Sequence, residues 1–203
     1  VRRLTNTESG SGFAWSPDGS RILYSISSVF SSIYTMDTKG KDLGPLIGDP
    51  LGSECDELMQ DQGPISIAIE PTWSPDGKYI AFNDDDVRIR IVDISAETIK
   101  TIDTGGNNLE RGDMGLTWSP DSKWLAYTKA GANNFRQITI WSHDENKIYE
   151  VTNAFADAFS PAWDLDKKHF YFLASTDLAL GSGWANTSSM TADASYSVYV
   201  VNL

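Results

Sequence analysis

Between residues 65 and 104 the apolar positions come in short runs, many of them alternating with polar ones. None recurs at the three-to-four spacing of an amphipathic helix. ISIAIEPTW (65–73) is rich in β-branched residues, KYIAFND (78–84) is a second apolar run, and VRIRIVD (87–93) and TIKTIDT (98–104) alternate with period two. The intervening SPDG (74–77) is turn chemistry. Pro75 presets φ, Asp76 can accept from the backbone amides that follow, and Gly77 tolerates positive φ. The pattern predicts four short antiparallel strands with tight turns between them.

The same plan recurs along the chain. One copy reads GLTW (115–118), KWLAYTK (123–129), RQITIWSHD (136–144) and KIYEVTN (147–153). An earlier copy reads GFAW (12–15), RILYSIS (21–27), SSIYTMD (31–37) and a weaker DLGPLIGD (42–49), followed by an insertion over 49–63. A last copy gives FSPAW (159–163), HFYFLAS (169–175), an insertion over 176–195 and YSVYVVN (196–202). Each first strand ends in a tryptophan, and Trp15, Trp73, Trp118 and Trp163 lie 58, 45 and 45 residues apart. Self-similarity at a period near 45, with four strands per unit, predicts an all-β fold. That fold is a β-propeller with four blades of four antiparallel strands, at about 8–49, 64–104, 112–153 and 157–203, in one propeller domain or propeller fragment over 1–203. VRRLTNT (1–7) matches the outer-strand text KIYEVTN. It is expected to complete the last blade, in cis or donated in trans, because an open sheet edge invites unwanted pairing. The best helical candidate is a turn or two within SECDELMQ (53–60). The chain opens on VRRLTNTESG without an initiator Met and is expected to be a piece of a longer protein.

The repeat also decides how its own letters are read. Trp15, Trp73, Trp118 and Trp163 hold equivalent places and are expected to be buried between neighbouring blades rather than to form a ligand cage. Asp18, Asp76, Asp121 and Asp166 are expected to serve their turns, since none has the loop spacing of an EF-hand. No metal site is expected. The weak candidates are the three carboxylates of one hairpin tip, Asp84, Asp85 and Asp86, with Asp164 beside Asp166 as another.

Composition narrows the function classes. Hydrophobic residues at 40%, with seven Trp, eight Tyr and eight Phe, exclude disorder. Sixteen cationic against 28 anionic side chains give a net charge of −12, which excludes duplex nucleic acid and an anionic membrane surface as partners. No apolar run reaches the length of a membrane span, and a soluble chain of a prokaryotic cytoplasm or periplasm is expected. One cysteine, Cys55, rules out an internal disulfide framework, and its neighbours Glu54, Asp56 and Glu57 discourage the thiolate. Neither His143 nor His169 has a nucleophile beside it in a recognisable motif. Asn186-Thr187-Ser188 matches a glycosylation acceptor by letters alone. No catalytic constellation emerges and no cofactor is expected.

WSPDG followed by an apolar strand and IYTMD resembles the TolB-type propeller repeat. VRRLTNTESGSGFAWSPDGSRILY, WSPDSKWLAYTKA and VTNAFADAFSPAWDLDKKHFYFLAS, followed by YSVYVVNL, resemble the propeller region of tricorn-protease homologues. The resemblance covers most of the chain and is most specific from Trp118 to Leu203. It implies a propeller that flanks and gates the chamber of a large serine peptidase whose catalytic residues lie in other domains. The departures are Ser122 in place of Gly in the third unit and Asp164-Leu165 in place of Ser-Pro in the fourth.

The expectation is therefore a non-catalytic module for peptide or protein binding or substrate gating. The alternative is a structural module that packs with another copy as a homo-oligomer to close a larger ring. Ligand contacts are expected at the segments that enter each inner strand, where Glu8, Glu70, Arg111, Asp113 and Asp157 fall.

Overall fold

The computed structural model describes Leu4 and residues 13–26, 32–47, 68–84, 86–105, 114–133, 135–176 and 195–202. Among them the chain forms fifteen strands and no helix, in four sheets whose neighbouring strands are all antiparallel. The first sheet is β1 (Phe13–Trp15), β2 (Arg21–Ile26), β3 (Ser32–Asp37) and β4 (Asp42–Ile47), in that order. The second is β5 (Ala68–Trp73), β6 (Tyr79–Asp84), β7 (Arg88–Asp93) and β8 (Thr98–Thr104). The third is β9 (Thr117–Trp118), β10 (Trp124–Ala130), β11 (Arg136–Ser142) and β12 (Lys147–Glu150). The fourth has three described strands, β13 (Asp157–Trp163), β14 (His169–Ser175) and β15 (Ser197–Asn202). These are the four blades read from the repeat. The strand expected from residues 1–7 lies outside the described residues except for Leu4, which sits against Gly40 in the β3–β4 turn. The helical candidate at 53–60 is also outside them.

The chain divides into two compact units, 1–104 and 105–203, each holding two blades. In the first unit Leu23 and Ile33 of one blade meet Ile80, Phe82 and Val92 of the next, all five fully buried. In the second unit Ala126, Ile138 and Ile140 meet Ala158, Phe170, Phe172 and Ala174. A middle strand covered on both faces needs an apolar run, which Ile80, Ala81 and Phe82 supply, all fully buried. Each large side chain so buried contributes about 1.5–3 kcal/mol.

The tryptophans follow this packing, with one exception. Trp73 and Trp163 are half-buried against the interblade cores, and Trp118 is buried edge-on to Trp141 at 6.4 Å between ring centroids. Trp15 is 54% exposed, contrary to the expectation that all four are buried. Trp73 and Trp163 each lean on the preceding blade of their unit, and Trp118, which like Trp15 opens a unit, is covered by Trp141 of its own blade, where the first blade carries Met36.

The WSPD turn is held by a group that sequence reading passed over, the serine. Ser16, Ser74 and Ser119 are buried, and each hydroxyl donates to the aspartate two residues on, at 2.6, 2.6 and 2.7 Å. The same oxygens accept from the amides of Arg21, Tyr79 and Trp124 at 2.9, 2.9 and 3.0 Å. In the fourth blade Asp164 replaces the serine, yet the backbone bonds survive: Lys167 N donates to Asp164 O and Asp164 N to His169 O. Asp166 there accepts from the amides of Lys168 and His169.

All four turns need a left-handed residue at their fifth position, with φ of 68° at Gly19, 73° at Gly77, 62° at Ser122 and 63° at Lys167. A side chain in that region is strained by about 1–2 kcal/mol, partly offset in glycine by its larger unfolded-state entropy. Lys167→Gly is therefore expected to stabilise the chain by about 0.5–1 kcal/mol, read as a raised urea midpoint with an unchanged m-value.

Candidate functional site

The first strand of a blade is where a propeller presents residues to its axis, and within each unit the first strands of the two blades lie together, β1 with β5 and β9 with β13. The residue three before Trp73, Trp118 and Trp163 departs from regular strand geometry. Glu70, Gly115 and Ser160 have φ of 47°, 60° and 54°. In β5 and β13 the register slips at that point, between Ile69 and Thr72 and between Phe159 and Ala162. A bulge re-aims the side chain that it carries. Gly115 has a packing reason as well, since a Cβ there would stand 3.3 Å from Pro161 Cδ. Glu70 and Ser160 are exposed, whereas Pro71 and Pro161 beside them are buried. Glu70 is thus an acidic side chain turned outward from an innermost strand at a strained backbone position. Such strain persists where the surrounding structure imposes it, and it clusters at binding sites.

Asp157, another expected ligand contact, has a partner of its own. It is fully buried, accepts from Arg136 Nε at 3.0 Å and Nη2 at 2.6 Å, and takes the Arg136 amide at 2.8 Å. The guanidinium carbon lies 3.9 Å from the centroid of the Phe159 ring, so Arg136 of the third blade is clasped between an acid and an aromatic face of the fourth. Glu8, Arg111 and Asp113 lie outside the described residues.

Of the carboxylates considered for a cation, Asp85 is outside the described residues, and the other two are engaged by arginine. Asp84 is buried and accepts from Arg88 through its amide at 2.9 Å and its Nε at 2.8 Å, with Arg90 Nε 3.1 Å away. Asp86, on the surface, pairs with Arg88 Nη2 at 2.7 Å. Burial and the neighbouring Arg88 charge lower the pKa of Arg90, and Asp84 and Asp86 oppose them. In the fourth blade Asp166 Oδ2 lies 2.6 Å from His169 Nδ1, and Tyr171 donates to Asp164. One ligand atom from each of Asp164, Asp166 and His169 falls within 4.8 Å of the others. The sequence placed His169 in a strand without marking Asp166, three residues earlier across the turn, as its partner.

The turn carboxylates carry depressed pKa values. Asp18 is lowered from 3.8 to about 2 by the Ser16 hydroxyl and then by the amide and hydroxyl of Ser20. Asp166 is lowered chiefly by the Lys168 amide, and Asp37 chiefly by the Lys41 amide. At Asp121 burial acts against ionisation, but the Ser119 hydroxyl, the Lys123 amide and the Lys167 charge outweigh it, so its value is lowered as well. A carboxyl whose folded pKa is depressed contributes stability that is complete above its unfolded value and lost as pH falls through the folded one. Stability is expected to hold above pH 4 and to decline between about 4 and 2, followed by far-UV circular dichroism on acid titration. Asp18→Asn is expected to flatten part of that decline.

These features define a chain of β-propeller blades. Its similarities lie with tricorn proteases. It is 28% identical over 143 residues to the tricorn protease of Thermoplasma volcanium, covering 67% of this chain and 14% of that protein. It is 29% identical over 146 residues to tricorn protease homolog 1 of Streptomyces coelicolor, covering 70% and 13%. The chain thus spans about a seventh of the length of these curated relatives. No protein-family model matches it. Among solved structures, the tricorn protease superimposes with a TM-score of 0.59 at 16% identity, covering 77% of this chain and 14% of that one. TolB from Acinetobacter baumannii gives 0.58 at 19% identity, covering 81% and 37%. The WD40 repeats of RRP9 give 0.58 at 20%, covering 86% and 50%. These likenesses support the propeller fold. Among the described residues, no helix is long and apolar enough to cross a membrane.

Proposed function

We propose that this chain is a non-catalytic propeller module that binds extended peptides or a protein segment, in the setting of a tricorn-like peptidase whose chemistry lies elsewhere. The observation that carries this reading is Glu70, exposed at a left-handed bulge of an innermost strand, where rigid backbone holds an acid outward. A peptide with a cationic residue is the partner that Glu70 and a net charge of −12 favour. Calorimetric titration with cationic, neutral and acidic peptides of equal length tests it. The cationic series should bind most tightly and weaken by about fivefold on Glu70→Gln, as for an exposed charge pair. Equal affinity across the series, or no effect of the substitution, would remove Glu70 from the reading.

A second reading, assembly with another copy, is supported by β15. The outer strands of the other blades are blunted as natural edges are: β4 carries Gly44-Pro45, β8 carries Lys100 and Asp103, and β12 is four residues long with Lys147 and Glu150. Among the described residues β15 ends its sheet; it is uncharged and runs in unbroken register along β14, with Val198 and Val200 exposed at 70% and 56%. Light scattering of the same samples distinguishes a monomer from the higher mass that this edge would give.

A further inference from the structure

Between the third and fourth blades, beside their WSPD turns, is a cleft of about 480 Å³. Its walls are Trp124, Ile140, Tyr149 and Trp163, and Asp121 and Lys167 line it among the turn residues. The Trp124 and Tyr149 rings stand 6.0 Å apart at 60° to one another.

The repeat supplies an internal control. The corresponding cleft between the first two blades, of about 580 Å³, is lined by Ser16, Asp18, Ser20, Arg21 and Asp76 together with Pro17, Pro75, Ile94 and a single aromatic ring, Trp73, a mixed polar and apolar set. By the repeat alignment Arg21 occupies the position of Trp124, and Gly77 that of Lys167. Neither change serves the turn. The turn geometry is the same in both, and Lys167 keeps the left-handed φ that glycine would adopt with less strain. The departures from the repeat therefore converge on one cleft and convert a mixed groove with one ring into one walled by three.

The charges select the occupant. Three aromatic rings beside a carboxylate would suit a quaternary ammonium, but Lys147 Nζ already stands 4.8 Å from the Tyr149 centroid and Lys167 lines the cleft. A cation would be repelled by both. Asp121 and the Glu145 carboxylate, which accepts from the Tyr149 hydroxyl, balance Lys167 and Lys147, so an anion gains nothing either. A neutral ring can meet the Trp and Tyr walls edge-to-face or offset, which aliphatic groups cannot match.

We infer that this cleft receives a phenylalanine or tyrosine side chain of a bound peptide. The inference rests on the peptide-binding reading for the source of the ring, while the cleft itself stands on its own residues.

The test titrates the whole chain with acetyl-Ala-Phe-Ala-amide, acetyl-Ala-Ala-Ala-amide, acetyl-Ala-Lys-Ala-amide and free p-cresol, following the indole N–H resonances of Trp124 and Trp163. The Phe peptide should bind saturably and shift both indoles. At this cleft, as the two indoles report it, the Ala and Lys peptides should bind at least tenfold more weakly, whatever a lysine gains at Glu70. Tyr149→Lys, which installs the residue type that the second blade carries there, should weaken the Phe peptide by about tenfold. Trp124→Arg, which installs the first blade's residue, should do the same. Unchanged circular dichroism and urea midpoint confirm that each variant is folded, and with both altered residues taken from sibling blades at least one fold-competent variant is expected. Binding of p-cresol without the Phe peptide would overturn the inference in favour of a small-molecule cleft. Peptide binding that is indifferent to the ring and to both variants would overturn it while leaving the peptide-binding module intact. No saturable shift of either indole with any probe would overturn it outright.

Discussion

Replacing Asp84 with alanine should destabilise the chain by about 3–5 kcal/mol, one of the two largest single effects that the structure predicts. The Asp84 and Arg90 side chains are both fully buried, and the Arg88 side chain is mostly so. The desolvation of these groups is offset by charge pairing inside the second blade. Removing one member of a buried pair leaves its desolvated partner uncompensated, which is why the loss far exceeds that of a surface ion pair. Asp86 provides the control, because it contacts the same Arg88 from a side chain that is 62% exposed. Asp86→Ala should cost under about 1 kcal/mol. Urea unfolding of the two variants checks the contrast. Equal losses would mean that Asp84 acts through local turn geometry rather than through the buried arginine.

In the second unit the corresponding weak point is Arg136. Arg136→Ala should cost about 3–4 kcal/mol, since it leaves the buried Asp157 carboxylate without its bidentate cation and removes the guanidinium from the Phe159 ring. Arg136→Lys keeps the charge but not the planar fork and should fall between the two. In a double-mutant cycle the combined Arg136→Ala and Asp157→Ala loss should be clearly smaller than the sum of the single ones. Additive losses would show that the two side chains stabilise the blades independently.

The blades were legible because their determinants are local. Trp, Pro, Asp and Gly recur at fixed offsets, and period-two apolar runs separate them, so both strand order and blade number could be read from spacing alone. The serine of each turn was not, because its importance lies in a hydroxyl that donates to an aspartate and accepts from an amide five residues on, a geometry that letters do not display. Asp157 and Glu70 look alike in sequence, as acids leading into an inner strand. What separates them is Arg136, 21 residues upstream on a different blade, and no periodicity announces that pairing. Trp15 shares the pentapeptide WSPDG with Trp73, yet Trp73 packs on the core between two blades and Trp15 is exposed. Ring placement in the aromatic cleft is non-local in the same way, since it joins residues of two blades.

The serine-centred turns also set an order of events in time. Every hydrogen bond in them closes within about six residues, so the loop that must be ordered first is short and its entropy small. The arginine clasp between blades closes over 21 residues and becomes available only once both hairpins exist. Folding is therefore expected to run from turns to hairpins to paired blades, with the hairpins of the first two strands of all four repeats able to form in parallel on the microsecond scale typical of such elements, and with the docking of finished sheets as the slow step. Substitutions in the turns should then act mainly on the rate of folding, and substitutions in the clasp mainly on the rate of unfolding.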